Sequence, residues 1–247
     1  MKEFLSRTEL LLGTDAIDRL QRARVIVFGV GGVGGYVTEV LARSGVGTIA
    51  LVDPDSVAPS NLNRQLIALH STIGRLKVDV MAERIADINP VCRVLKFPLF
   101  YLPENADEIP LAEFDYVVDC IDTVKAKLDI IRRCHQLGLP VISSMGAANK
   151  LDPTAFRVSD IAKTNMDPLA RVLRKKLRKE GIEHFKVVYS EEQPLKPVIA
   201  NEEMQREADA LAANGRRSLP ASCAFVPAAA GLVIGGEVVK DLAKGSE

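Results

Sequence analysis

The sequence predicts an α/β fold: a Rossmann-like open sheet, mostly parallel, with helices on both faces and an antiparallel C-terminal extension. Three features predict it. Apolar β-branched runs alternate with helical spacing through the first 150 or so positions, a glycine-rich turn joins the first run to a helix, and after Gly146 the pattern changes. Residues 24–30 (RVIVFGV) are an unbroken apolar run, the mark of a strand covered on both faces. Residues 33–44 follow with helical spacing and stop at Gly45, and 48–53 (TIALVD) make the second strand. Residues 74–89 read as a helix with Val78, Met81, Ile85 and Ile88 on one face and Pro90 as terminator. A third strand is expected over 93–97, a fourth over 115–121 (DYVVDCI), a helix over 125–137 and a fifth strand over 139–143. Beyond Gly146, residues 155–159 and 185–190 alternate as antiparallel strands do, with a helix over 167–179 between them. Residues 195–214 combine a proline-broken extended piece with a charged helix. Residues 218–236 carry no charge, but Pro220, Pro227 and the abundance of Ala and Gly predict a short buried strand and then a packed helix from near Pro227, not a membrane span.

Composition narrows the function. With 32 Lys plus Arg against 32 Asp plus Glu, the chain cannot coat nucleic acid by bulk charge, although a local basic patch remains open. A hydrophobic fraction of 47% with 26% charged residues excludes disorder, collagen and coiled coil. The opening MKEFLSRTEL lacks the apolar stretch of a secretory signal. Cys92, Cys120, Cys134 and Cys223 stand apart without a CxxC pair, so reduced thiols of a cytoplasmic protein are expected rather than a zinc ribbon or disulfides. Cys120 and Cys223 read as small buried hydrophobes rather than nucleophiles. His70, His135 and His184 stand in no recognisable catalytic setting.

Gly29-Val-Gly31-Gly32-Val-Gly34 leaves a strand and opens a helix, where glycines let the backbone approach a phosphate beside the positive end of the helix dipole. Asp53 ends the next strand, ~20 residues on, where a carboxylate can accept from ribose hydroxyls. The loop alone points to a nucleotide and leaves NAD and ATP both open. Arg64, Lys77 and Asp122 then fall at or just beyond neighbouring strand ends. A dehydrogenase has little use for that set, whereas nucleotidyl transfer must stabilise charge moving onto departing pyrophosphate. Lys77 would supply a point charge, Arg64 a forked donor and Asp122 a ligand for the magnesium carried by ATP. Taken singly, each has a plainer reading as surface charge or helix cap.

GVGGVG, VDPD, SNLNRQ, GRLK and DCID, in this order and spacing over most of 7–146, resemble the ubiquitin-activating-enzyme-like (ThiF-type) adenylating superfamily. The resemblance implies a single adenylating domain over 1–247, with a nucleotide-binding core at about 20–146 and a substrate-side extension at about 147–247. It implies that Asp53 binds ribose, that Asp55, Asn61, Arg64 and Gln65 line the nucleotide site, that Lys77 contacts phosphate and that Asp122 holds Mg²⁺. An arginine near the N-terminus reaches the partner subunit's site in this superfamily; Arg7 stands there, implying a homodimer.

Members that adenylate a ubiquitin-like sulfur carrier commonly bear paired CxxC ligands, absent here. Residues 84–94 (RIADINPVCRV), 151–178 and 222–242 resemble instead the tRNA threonylcarbamoyladenosine dehydratase family, with 179–217 matching least. Residues 144–150 (SMGAANK) depart from that family's more glycine-rich pattern. This second resemblance implies an ATP-dependent enzyme that adenylates the threonyl carboxylate of the modified nucleoside and lets a neighbouring carbamoyl atom close a ring. ATP and Mg²⁺ are then the cofactors and tRNA the partner, with a sulfur-pathway protein as a possible second one. Arg171, Arg174, Lys175, Lys176, Arg178 and Lys179 put six cations within nine residues, a face suited to a phosphate backbone. The alternatives are an adenylating enzyme for a sulfur-carrier protein and an NAD-binding redox or sensor module.

Overall fold

Seven strands form one sheet in the computed structural model, which describes residues 3–213 and 219–244. Asn214, the end of the expected charged helix, and Ser218, the start of the uncharged stretch, lie outside the described residues. The strands are β1 (Arg24–Phe28), β2 (Thr48–Val52), β3 (Arg93–Phe97), β4 (Tyr116–Asp119), β5 (Val141–Ser144), β6 (Phe156–Asp160) and β7 (Lys186–Ser190), in the order β3-β2-β1-β4-β5-β7-β6. The antiparallel character is confined to the β6–β7 pair. β7 itself runs parallel to β5, with Ile142 opposite Lys186, so the C-terminal part extends the same sheet.

The period of two sorts each central strand between two cores. Val25 and Val27 of β1 join one cluster, and Ile26 and Phe28 join the other. On the first face lie α2 (Thr14–Arg22), α3 (Gly34–Arg43), α4 (Lys77–Ile88) and α8 (Phe225–Lys244). On the second lie α5 (Val124–Leu137), ended by Gly138 in the left-handed conformation at φ 66°, and α6 (Pro168–Leu177). α1 (Ser6–Leu12) and α2 precede the sheet and were not expected from the sequence; Ala16, Ile17 and Leu20 are the buried stripe of α2. α7 (Glu202–Ala213) matches the expected charged helix.

The uncharged stretch folds differently from its reading in one respect. Residues 219–224 form no strand, and α8 begins at Phe225 with Pro227 in its first turn, where a missing N–H costs no helical bond. α8 lies close against α3: a Cβ on Gly231 would stand 2.4 Å from the Val33 carbonyl, and one on Gly235 2.7 Å from Val40 Cβ. Small residues here serve intimate helix contact, and no helix among the described residues is long and apolar enough to cross a membrane.

Candidate active site

The sheet reverses its winding between β1 and β4, the point at which open α/β sheets place ligands beyond the carboxyl ends of their strands. A cavity of about 320 Å³ lies there. Gly29, Gly31, Gly32, Asp53, Asp55, Arg64, Gln65, Lys77 and Asp122 all line it. Residues from five separate segments of the sequence therefore converge.

The glycines divide by cause. Gly29 has φ +86°, and a Cβ there would stand 3.0 Å from the Cys120 carbonyl oxygen; a Cβ on Gly34 would stand 1.8 Å from the Gly29 carbonyl oxygen. Both are demanded by the turn, and Gly34 supports the loop from behind rather than lining the cavity. Gly31 meets nothing nearer than Gln65 Nε2 at 3.7 Å, so packing does not require its bareness. Its open side is the cavity.

Asp53 is fixed by its own neighbours. The Val30 N–H donates to Oδ2 at 2.7 Å and the Asp55 N–H to Oδ1 at 3.0 Å. Burial pushes its carboxyl above the usual carboxylate range, with the Lys77 ammonium and these two N–H groups opposing. Lys77 is only 5% exposed; it donates to Asp55 Oδ2 at 2.7 Å and stands 3.9 Å from Asp53 Oδ1. A buried ammonium and its counter-ion therefore stand together at the cavity wall.

Gln65 is buried, and its Oε1 has no hydrogen-bond partner among the described residues, an orphaned acceptor in the wall of a cavity. Arg64 folds against its own loop, Nη1 donating to the Ser60 carbonyl at 2.9 Å and to Asn63 Oδ1 at 2.8 Å. Asn61 is buried next to the cavity wall rather than lining it. Its Oδ1 accepts from the Ala58 N–H at 3.1 Å and its carbonyl from the Arg64 and Gln65 N–H groups, so it holds the turn that carries those two residues. Asp122 is exposed, and Thr123 Oγ1 approaches its Oδ1 at 3.5 Å. Among the described residues no three His, Cys, Asp or Glu side chains gather as a ready metal cage. A single exposed carboxylate on the cavity wall could give Mg²⁺ one protein ligand, since that ion keeps most of its ligands from phosphate and water.

One wall segment lies wholly outside the motifs read from the sequence. Leu99, Phe100 and Tyr101 follow β3 and close the cavity beside β2. Phe100 is 54% exposed, and Tyr101 is anchored by a 2.8 Å bond from its hydroxyl to Asp129 Oδ2. Their signal was positional, since they leave the carboxyl end of a parallel strand. Cys120 also reaches the wall, but burial pushes its thiol up to about 12, which makes it a poor nucleophile at neutral pH.

Other expected residues lie apart. Arg7 is exposed on α1, outside the cavity of its own chain, near the exposed side chains of Phe4, Leu10 and Leu11. α6 starts beside the carboxyl end of β5, where Asp167 Oδ2 accepts from the Gly146 N–H, and runs back toward the amino end of β7. Its cations therefore approach the opposite rim. Arg171, Lys175, Arg178 and Lys179 line an open groove there with Arg174 and Glu183. Arg174 is committed to structure: its Nη1 donates to the Ile161 and Thr164 carbonyls at 3.2 and 2.9 Å and to Thr164 Oγ1 at 2.5 Å. Lys176 does not line the groove. His184 pairs with Asp160 at 3.3 Å, and neither it, His70 nor His135 reaches the nucleotide cavity.

The model of the ThiF family matches residues 5–245. The tRNA threonylcarbamoyladenosine dehydratase of Bacillus subtilis is 48% identical over 245 residues, covering 98% of this chain and 95% of the relative. The crystal structure of the E. coli tRNA N6-threonylcarbamoyladenosine dehydratase in complex with ATP superposes with a TM-score of 0.85 at 33% identity, covering 98% of this chain and 94% of that one. An adenylyltransferase and sulfurtransferase of Candida glabrata is 36% identical over 143 residues, 58% of this chain and 33% of the relative.

Proposed function

The chain belongs to the ThiF family, and from that premise we propose that it is an ATP-dependent tRNA threonylcarbamoyladenosine dehydratase. The observation that carries this reading is the convergence of Arg64, Lys77 and Asp122 on the cavity that also holds Asp53 and the glycine loop. Asp53, pinned by two N–H groups, presents the carboxylate that ribose hydroxyls require. The bare backbone of Gly31 and Gly32 leaves room for phosphate oxygens. Lys77 exchanges Asp55 for phosphate, and Arg64 swings from its loop carbonyl to the triphosphate. Phe100 and Leu99 give the base an apolar wall, and Gln65 Oε1 accepts a donor from the bound nucleotide. Asp122 would hold the Mg²⁺ that accompanies ATP, and that ion would supply charge neutralisation at the phosphates.

The threonyl carboxylate oxygen attacks the α-phosphorus and pyrophosphate leaves. An oxygen or nitrogen of the adjacent carbamoyl then attacks the activated carbonyl carbon, and AMP departs with the former carboxylate oxygen. The net loss from the nucleoside is one water. Ring closure is intramolecular, with reactants held at high effective molarity, so the protein supplies no covalent nucleophile. The raised pKa of the Cys120 thiol fits that scheme.

Arg7, exposed among apolar side chains, completes the site of a second subunit in a homodimer. The groove of Arg171, Lys175, Arg178 and Lys179 follows tRNA phosphates away from the reacting nucleoside, in the cytoplasmic setting that holds both tRNA and ATP. The test is direct. tRNA bearing the modified nucleoside is incubated with protein, ATP and Mg²⁺, digested and analysed by mass spectrometry. A nucleoside lighter by one water is expected; its absence with ATP bound removes the substrate assignment. Adenylation of a Gly-Gly-ended carrier protein is the second reading, favoured only by relatives that match part of the chain, and pyrophosphate exchange stimulated by such a protein would raise it.

A further inference from the structure

Lys127, in the first turn of α5, is fully buried, as are Asp119 at the end of β4 and Ser143 in β5. The Lys127 ammonium uses all three donors: Asp119 Oδ2 at 2.9 Å, Ser143 Oγ at 3.2 Å and the Ser144 carbonyl at 2.8 Å. Ser143 Oγ donates to the same Asp119 Oδ2 at 2.5 Å, and Asp119 Oδ1 accepts from the Ile121 N–H at 3.3 Å. The network is closed, and no water or nucleotide is needed to complete it.

Its location is the informative part. A buried ion pair is a poor way to gain stability, because well-packed apolar groups of the same volume do as well or better. A fully satisfied buried network does fix geometry. This one clamps two segments at the carboxyl edge of the sheet. The first is the turn Cys120–Ile121–Asp122–Thr123, which forms one wall of the nucleotide cavity and carries the exposed Asp122. The second is the loop leaving β5 at Ser144, whose Gly146 N–H is in turn held by Asp167. Neither Lys127 nor Asp119 lines the cavity, so neither touches the nucleotide.

We infer that Lys127, Asp119 and Ser143 are positioning residues, which hold the Asp122 turn and the β5 exit loop in the arrangement that adenyl transfer requires. The inference rests on the adenylating reading of the site. It differs from a purely structural role in what it predicts for kinetics: ATP affinity is set by Asp53, Lys77 and the glycine loop and stays, while the chemical step loses alignment.

The experiment compares wild type with the Lys127→Met/Asp119→Asn double variant, which removes both buried charges together, and with Ser143→Ala. Melting temperature, ATP KM and kcat for dehydration of modified tRNA are measured for each. The expected result for the double variant is kcat lowered at least tenfold with ATP KM within threefold of wild type. Ser143→Ala, which leaves a buried donor and acceptor unpaired, is expected to lower the melting temperature by a few degrees, stay folded and lower kcat three- to fivefold with an unchanged ATP KM, and it decides the matter if the double variant does not fold. A folded variant with wild-type kcat overturns the inference. Wild-type protein that binds ATP but makes no dehydrated nucleoside overturns the functional reading instead, so the two failures are distinct.

Discussion

Gly31→Ala separates a loop built for packing from a loop built for a ligand. The new Cβ would stand 3.7 Å from its nearest neighbour, Gln65 Nε2, at ordinary contact distance, and the backbone there is not left-handed. At such a position alanine stabilises by about 0.4–1 kcal/mol, through the unfolded chain. For a protein of this size that raises Tm by about 1–4 °C. The methyl group nevertheless occupies the cavity side of the loop. Overpacking a fitted contact costs about 1–3 kcal/mol, and about 1.4 kcal/mol is a factor of ten in affinity. ATP KM should therefore rise about 5- to 150-fold in the tRNA dehydration assay at saturating tRNA, with Tm held or raised. Gly34→Ala is the control: a Cβ 1.8 Å from the Gly29 carbonyl oxygen cannot be accommodated, and soluble protein should be lost. Wild-type ATP KM in a folded Gly31→Ala protein would refute the assignment of this loop to phosphate.

Asp122→Ala, at an exposed position, should leave stability within about 0.5 kcal/mol while turnover falls about 100-fold or more; equal turnover would place the metal elsewhere. Lys77→Met should lose both, since it leaves the buried Asp53 carboxylate without its ammonium, at a cost of about 1–3 kcal/mol, read as a lower Tm alongside a raised ATP KM. Glu39 is held below the usual carboxylate range although burial works against it, because hydrogen bonds from Arg84 and Arg43 prevail. Its contribution to stability is therefore complete above its unfolded pKa and lost as pH falls through the lower folded value. Glu39→Gln should accordingly depress Tm at pH 7 and progressively less below pH 4.5; an equal deficit in strong acid would contradict this. Neutralising Arg171, Lys175, Arg178 and Lys179 should weaken tRNA binding and reduce the salt slope by about 0.7–0.9 per lost phosphate contact, with Lys176→Gln as an unaffected control. Unchanged filter binding would move the RNA surface elsewhere.

What was legible in the sequence was what repeats or punctuates. Buried strands with helices between them, and glycines at a strand-to-helix turn, carry local signals. So the sequence alone brings the β1–α3 loop, Asp53, Arg64, Lys77 and Asp122 to one sheet edge. For Asn61, spacing shows that a residue belongs to a turn, not which way its side chain faces; here the amide caps its own turn. Phe100 was missed because an aromatic after an edge strand looks like core until the cavity beside it is seen. Arg174 and its neighbours read alike as charges, yet only tertiary contacts show that its guanidinium serves the 161–164 turn. The Asp119–Lys127 pair was invisible for a related reason: a lysine in a helix reads as solvated until a buried carboxylate is found opposite it.

The close seat of α8 has a consequence for the order in which this molecule is made. Pro227 abuts Gly32 of the β1–α3 loop, at 3.3 Å from where a Cβ would be, and Gly231 lies on the Val33 carbonyl at the start of α3. Every cavity-lining residue has been added long before these two. The emerging chain thus carries the whole cavity wall over an unsupported loop, and on the proposed function competence for ATP should arrive late, when α8 docks. A ribosome-stalled chain ending before residue 225 should then show the secondary structure of the sheet without retaining the nucleotide.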